Sequence, residues 1–314
     1  MSIILDDRKF EGMHQHVFWN NKFFKSEDVN DEDMHLTHVD STRKRLESNP
    51  PELDYTPQSG VIASHVSQLN KLFKKIKNET GPFNIVLYSR DGGIQLEKDS
   101  TYKSYRTKQG YCITYKINGG SETLNRIPKN VNKIFCSNVD LNSHRIACFP
   151  YGAAEECSKE IETILGIREM DAYGDLYLRP RRLCYANFNV KTNRKHRIPI
   201  WNKMQELDWV DIKSGLSTQA YIKDLFSYKY VVCPKGNGID TMRMWESLYC
   251  GAIPIVARSG VSSCFSDLLP MVEVDNWNLD KEYLESIYPA LSTRLSNFAL
   301  VNKEYWKVVT NELQ

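Results

Sequence analysis

The chain has 314 residues, of which 41% are hydrophobic and 25% are charged, and its formal net charge is +2. This length and composition are typical of a soluble globular protein with two domains, and the near-neutral charge gives no sign of a nucleic-acid partner. Every apolar run falls short of the roughly 20 residues that a membrane helix needs. The charged N-terminus does not resemble a secretory signal, so we expect no transmembrane segment.

Eight cysteines are dispersed along the chain, mostly inside apolar runs, and none forms a CxxC pair. This pattern predicts buried free thiols in a reducing compartment. We therefore expect a cytoplasmic protein.

The first half of the chain begins with a polar segment, residues 1–60, which contains Pro50, Pro51 and Pro57. Its lack of periodicity predicts an irregular arm or long loops. Apolar spacing predicts an amphipathic helix over 61–78, ended by Gly81-Pro82. The elements predicted after it are strands at 83–89, 132–138 and 145–150 and an acidic helix at 153–165.

The second half alternates strands with helices. The predicted strands are 182–190, 207–212, 228–234, 252–257 and 271–274, and the predicted helices are 196–207, 217–227 with Ser217 as N-cap, and one after Gly238. Such alternation indicates a parallel sheet covered on both faces. We therefore predict an α/β protein with an N-terminal domain over 1–172, a second domain over 173–290, and C-terminal helices over 291–314 that pack back on the first domain.

One segment, VVCPKGNGIDTMRMWESLYCGAIPIV (231–256), carries the strongest functional signal. It reads as a strand, a glycine loop and a helix with Asp240 or Thr241 as cap, and ligands of open parallel sheets bind beyond the carboxyl ends of strands. Backbone N–H groups at a helix start hold phosphate oxygens, and glycines let the backbone approach closely. Arg243 could bind a diphosphate, and Glu246 could accept both hydroxyls of a ribose.

Two other interpretations of the same segment stay open. Arg243 and Glu246 could form an ordinary i,i+3 ion pair on a solvated helix face, although the apolar residues around them argue against such a face. Alternatively, Gly236 and Gly238 begin a GxGxxG motif for a dinucleotide, with Arg258 and Ser259 placed to bind the 2′-phosphate of NADP. Thr241 replaces the third glycine of that motif.

Beyond spacing, residues 230–256 resemble the donor-binding segment of exostosin-like glycosyltransferases, a family with the GT-B fold. Residues 134–152 and 183–197 are similar to two further segments of the same group. The family pattern falls here on Pro234, Gly236, Asn237, Gly238, Arg243, Trp245, Glu246, Gly251, Pro254 and Val256.

The resemblance implies an inverting transferase with two Rossmann-like domains, a cleft between them and a UDP-sugar donor. It implies no metal or other cofactor, because in GT-B enzymes basic side chains and a helix N-terminus usually stabilise the departing diphosphate. It also implies that Asn189, Arg194 and Arg197, in the basic loop of the second domain, contact the donor. The chain lacks the membrane anchor of the Golgi members, which suggests a cytosolic enzyme of the type found in large DNA viruses or bacteria.

Inversion needs a general base that takes the proton of the acceptor hydroxyl. Asp91, directly after the strand 83–89, is the first candidate, although Asp-Gly is also a common turn. Asp140 and His144 are weaker candidates. The histidine pairs near the N-terminus show no metal-ligand spacing that predicts a site.

The donor sugar is the least determined feature, and both hexosyl and pentosyl transfer stay open. Xylose is favoured only because no spare cationic group awaits a sugar carboxylate. The acceptor is expected to be a glycan hydroxyl. The functional alternatives are a non-catalytic nucleotide- or glycan-binding module and an NADP-dependent oxidoreductase.

Overall fold

The computed structural model describes residues 16–19, 22–25, 56–65, 68–88, 124–139, 143–165, 181–296 and 303–312. These residues fall into two compact units, which divide at Pro150. The chain returns to the first unit at Glu304.

The first unit contains a six-stranded sheet with the order β2-β1-β3-β4-β5-β6. All neighbouring strands are parallel except β1 and β2. The elements are β1 (His16–Trp19), β2 (Lys22–Lys25), β3 (Gly60–His65), α1 (Leu69–Ile76), β4 (Phe83–Tyr88), β5 (Val131–Cys136), β6 (Ile146–Cys148) and, at the end of the chain, α8 (Lys303–Asn311).

The predicted helix over 61–78 is wrong in its first half, because residues 60–65 form β3 in the middle of the sheet. Val61, Ile62 and Ala63 have no exposed surface. A strand buried on both faces shows no alternation of apolar and polar residues, so its apolar run merges with the helical pattern that starts at Leu69. The expectation of an irregular N-terminal segment likewise missed β1 and β2.

Helix α8 is tied to the first sheet by a buried side chain. The Asn84 amide, on β4, donates to the backbone oxygens of Thr310 and Glu312, both at 2.8 Å. Its own oxygen accepts from the Asn132 amide at 3.1 Å. Asn84 therefore bonds backbone carbonyls at the C-terminal end of the helix.

The second unit contains a five-stranded sheet in which all neighbouring strands are parallel. The strands are β7 (Arg182–Ala186), β8 (Val210–Ile212), β9 (Tyr228–Val232), β10 (Ile253–Ala257) and β11 (Val272–Val274). The helices are α2 (Glu155–Leu165), α3 (Arg194–Gln205), α4 (Thr218–Leu225), α5 (Met242–Tyr249), α6 (Gly260–Phe265) and α7 (Lys281–Ser292).

The strand order β11-β10-β9-β7-β8 reverses between β7 and β9. From β7 the chain crosses to one side to form β8, then returns past β7 to form β9 and continues outward. Such a switch point opens a crevice at the carboxyl ends of the two strands, where doubly wound sheets bind ligands.

The predicted α/β class with two Rossmann-like sheets is confirmed. Helix α2, which the sequence analysis assigned to the first domain, belongs to the unit of the second sheet. The predicted boundary at residue 172 lies outside the described residues. Seven cysteines are described and all are free; six are buried as predicted, and Cys264 is exposed.

Candidate functional site

Two loops lie on either side of the switch point. The loop after β7 runs from Asn187 into a 3-10 turn over Val190–Asn193, which leads directly into α3. The loop after β9 runs from Cys233 to Thr241 and leads into α5. Both loops contain residues that the sequence predicted to contact a ligand.

The side chain of Arg197 connects the two loops. Its Nη1 donates to the Asn189 oxygen at 2.9 Å, its Nε to the Lys235 oxygen at 3.0 Å and its Nη2 to the Pro234 oxygen at 3.2 Å. Nearby, the Asn193 amide donates to the Gly236 oxygen at 2.6 Å. Arg197 is 5% exposed, so its side chain is buried where the two loops meet.

Burial, and then the nearby Arg243 cation, lowers the pKa of Arg197 to about 10. At neutral pH its guanidinium therefore still carries a charge. A charged donor makes stronger hydrogen bonds to carbonyls than a neutral one.

Gly236 contacts Arg197 closely. A Cβ atom at position 236 would lie 3.2 Å from Nη2 of Arg197, which is tighter than ordinary packing. The Gly236 N–H donates to the Gly238 oxygen at 3.0 Å and closes a tight turn. The glycine that the sequence analysis explained by the approach of a ligand is thus also explained by the approach of Arg197.

Arg243 lies in the first turn of α5. Thr241 is the N-cap residue, and its side chain makes no capping hydrogen bond. The Arg243 guanidinium lies over the ring of Tyr221, 5.5 Å from its centroid. Its Nε is buried and has no hydrogen-bond partner among the described residues. A buried, unpaired donor on a cation is energetically costly and favours an anionic ligand at this place.

Glu246 is 4% exposed, one turn further along α5. Its Oε2 accepts from the Tyr221 hydroxyl at 2.7 Å and its Oε1 from the Ala154 N–H at 3.2 Å. Among the described residues it makes no ion pair with Arg243, so the interpretation as an exposed i,i+3 pair does not apply. Burial, followed by the Glu246 charge, raises the pKa of the Cys157 thiol.

Asp240 fixes the start of α5 in a way that the sequence analysis missed. Its Oδ1 accepts from Nε1 of Trp245 at 2.7 Å and its Oδ2 from the Tyr151 N–H at 2.9 Å. It was considered as a cap, but Thr241 occupies that position. The available signal was Trp245, because an indole N–H needs a nearby acceptor when the side chain is buried.

The other predicted residues have varied positions. Asn189 and Arg194 are exposed, and Asn237 is half-buried. The Asn189 Oδ1 accepts from the Lys191 N–H at 2.9 Å and so shapes the 3-10 turn. His144 is exposed, whereas the candidate bases Asp91 and Asp140 lie outside the described residues.

A polar cluster beside the site also escaped the sequence analysis. The Asn187 amide donates to the Tyr185 hydroxyl at 2.8 Å, and this hydroxyl donates to Asp224 at 2.9 Å. The Lys213 ammonium donates to both Asp224 oxygens, at 2.8 and 2.9 Å. Asn187 and Lys213 directly follow β7 and β8, and their position at adjacent strand ends was the signal that could have revealed the cluster.

The residues proposed for an NADP site have other partners. Arg258 donates to Asp275 at 3.0 Å and to Glu273 at 3.1 Å. The Ser259 hydroxyl accepts from the Ser262 N–H and caps α6. A 2′-phosphate bound to Arg258 would lie beside two carboxylates, which disfavours the dinucleotide interpretation.

Comparison with known proteins gives matches among solved structures alone. No protein-family model matches the sequence, and no curated protein matches it. Three of the solved structures that are similar to the chain illustrate the likeness. A UDP-forming α,α-trehalose-phosphate synthase from Burkholderia vietnamiensis is 9% identical, with a TM-score of 0.43, over 96% of this chain and 81% of its own. An α1,3-fucosyltransferase is 12% identical, with a TM-score of 0.35, over 87% and 78%.

The third structure is the pneumococcal O-GlcNAc transferase GtfA in complex with UDP and GlcNAc. It is 10% identical, with a TM-score of 0.33, over 93% of this chain and 57% of its own. Because these scores are low, the fold assignment depends on the strand order described above.

Two kinds of feature are absent from the described residues. Within the described ranges, no three His, Cys, Asp or Glu side chains are grouped closely enough to hold a metal ion. Among the described helices, none has the length and apolarity needed to cross a membrane.

Proposed function

We propose that this protein is a glycosyltransferase that moves a sugar from a UDP-sugar to a hydroxyl of a glycan acceptor, with inversion at the anomeric carbon. One observation carries the proposal. The guanidinium of Arg243, with its buried and unpaired Nε, lies at the start of α5 beside the glycine loop of a switch point. Such a place is suited to a diphosphate.

In the proposed complex, Arg243 and the backbone around Gly236, Asn237 and Gly238 bind the diphosphate, with Asn189 and Arg194 at the rim. Glu246 accepts from the Tyr221 hydroxyl and the Ala154 N–H and also bonds the Cys157 thiol. A carboxylate has about four acceptor positions, so the remaining one could accept from a ribose hydroxyl, as the sequence motif predicts.

The chemical step follows from this arrangement. A base, for which Asp91 and Asp140 remain the predicted candidates, takes the proton of the acceptor hydroxyl as its oxygen forms a bond to the anomeric carbon. The bond from that carbon to the diphosphate oxygen breaks, and UDP leaves with the bonding electron pair. Arg243 and the helix start stabilise the charge on UDP, so the step needs no oxidant or reductant.

The binding test uses UDP, uridine and NADP⁺ in calorimetry and thermal-shift experiments. UDP at 100 times its Kd should stabilise the protein by about 2.7 kcal/mol. Replacing Arg243 with Ala should weaken UDP by about 10- to 150-fold, since a hydrogen bond to a charged group contributes about 1.5–3 kcal/mol. Uridine binding should not change.

Arg258→Ala is the matched control, because Arg258 binds only carboxylates in the structure; it should leave UDP affinity unchanged. Stabilisation by NADP⁺ without stabilisation by UDP would overturn the proposal.

Turnover distinguishes the proposed transferase from the alternative, a non-catalytic binding module. UDP release from UDP-xylose, UDP-galactose, UDP-glucuronate and UDP-arabinose with candidate glycans should show activity with at least one donor, and we propose UDP-xylose. UDP binding without any transfer would favour the binding module.

A further inference from the structure

We infer that Arg197 is a positioning residue: it holds the loop after β9 in the conformation in which this loop, and not the guanidinium itself, contacts the donor diphosphate. This inference rests on the proposed function. It assigns Arg197 a different role from the phosphate contact that the sequence motif predicts.

The first argument is the engagement of the guanidinium. Each of its three nitrogens donates to a backbone oxygen, and these oxygens belong to Asn189 in one loop and to Pro234 and Lys235 in the other. With 5% exposure, Arg197 lies beneath the loops rather than on their outer surface. Three of the five N–H donors are thus used, and the low exposure of the side chain leaves the other two little access to a phosphate.

The second argument is the geometry of the peptide plane. The carbonyl oxygens of Pro234 and Lys235 point at Arg197, and that of Gly236 points at the Asn193 amide. In a trans peptide, C=O and N–H point in opposite directions, and the only cis bond in the described residues is Gly81-Pro82. The N–H groups of Lys235 and Gly236 are therefore turned away from Arg197, and that of Gly236 is bound within the loop, to the Gly238 oxygen at 3.0 Å. The bonds to Arg197 and Asn193 thus fix the orientation of three successive peptide planes in this loop.

Arginine is required here because the planar fork reaches two loops at once. A lysine has three donors on one nitrogen and cannot serve oxygens on both loops in the same way. Arg197→Lys therefore keeps the positive charge but releases the loop, which separates positioning from electrostatic attraction.

The experiment compares wild type, Arg197→Lys and the control Lys195→Ala, an exposed cation on the same helix. We expect Arg197→Lys to weaken UDP by roughly tenfold or more and to leave uridine affinity unchanged. Amide hydrogen exchange in the ligand-free protein should accelerate over 187–193 and 233–241. Lys195→Ala should change neither measurement.

Each other result overturns the inference. Weaker UDP binding with unchanged exchange in the ligand-free loops would identify a direct phosphate contact. Equal losses for UDP and uridine, or faster exchange with unchanged UDP affinity, would show a role in stability alone. If wild type binds UDP no more tightly than uridine, the proposed function is refuted. The exchange measurement then still tests whether Arg197 holds the loop.

A second variant keeps the inference testable if Arg197→Lys does not fold. Asn193→Ala removes only the 2.6 Å bond to the Gly236 oxygen. It should accelerate exchange over 233–241 and weaken UDP more than uridine. An unchanged loop and unchanged UDP affinity in this variant would overturn the inference.

Discussion

Replacing Tyr221 with phenylalanine removes a single buried hydroxyl. That hydroxyl donates to Oε2 of Glu246 at 2.7 Å, and Glu246 is too buried for water to replace the bond. A hydrogen bond to a charged group contributes about 1.5–3 kcal/mol, so we expect Tyr221→Phe to lower the free energy of unfolding by this amount. At about 2–4 °C per kcal/mol, the Tm should fall by about 3–12 °C.

Substitutions at Tyr221 also distinguish an effect on stability from an effect on ligand binding. Phenylalanine keeps a ring beneath the Arg243 guanidinium, so UDP affinity should stay within about threefold of wild type. Tyr221→Leu removes the ring as well, together with a cation–π contact of about 0.5–2 kcal/mol. This second variant should bind UDP about 2- to 30-fold more weakly by calorimetry.

Tyr283→Phe provides the matched control. Tyr283 is 56% exposed, so removal of its hydroxyl should change stability by no more than about 0.5 kcal/mol. If Tyr221→Phe and Tyr283→Phe have the same Tm, the Tyr221 hydroxyl does not stabilise a buried Glu246 and the reasoning is refuted.

Three further results are expected. Asn84→Ala removes the amide bonds to the Thr310 and Glu312 oxygens, so hydrogen exchange over 303–312 should accelerate; unchanged exchange would contradict the anchoring role of Asn84. The free energy of unfolding should fall above pH 9, because burial raises the pKa of the Cys233 thiol from 9.0 to about 12 and the folded chain keeps a proton that the unfolded chain releases. Urea titrations between pH 8 and 10.5 should show a fall of up to about 1.4 kcal/mol per pH unit for each such thiol, and a shallower fall in Cys233→Ser. Iodoacetamide should modify the exposed Cys264 before Cys233, as measured by peptide mass mapping, and equal rates would contradict their different burial.

The second sheet could be predicted from sequence because its strands and helices alternate at short range. Each strand is a compact apolar run ended by a turn or cap signal, such as Ser217, whose hydroxyl accepts from the Ala220 N–H at the start of α4. Local signals of this kind can be recognised without any knowledge of the tertiary structure. The strand order was not predictable, because it depends on which side of β7 the chain crosses.

The first sheet was harder to predict, and β3 shows why. Its neighbours β1 and β4 pair with it on both edges, and Val61, Ile62 and Ala63 are fully buried. Neither face needs polar residues, so the alternation that marks a half-buried strand is absent. Propensity and spacing alone then favoured a helix that continued into α1.

The candidate site was partly predictable for the same reason. The glycine loop and Arg243 lie within ten residues of one another, so their proximity could be inferred from a single strand–loop–helix unit. The hydrogen bonds of Arg197 could not be inferred, because they join loops about 45 residues apart in sequence.

One sequence signal nevertheless pointed to the role of Arg197. Arg197, Ile200 and Met204 are the buried residues of α3, and their i, i+3, i+7 spacing places them on one face of the helix. A cation on the buried stripe of a helix needs acceptors that are themselves buried, and backbone carbonyls of adjacent loops are the nearest ones at a switch point. A basic residue on an apolar helix face at the carboxyl edge of a parallel sheet therefore indicates a residue that holds the binding loops, whereas the ligand contact of the exposed Arg194 stays a prediction.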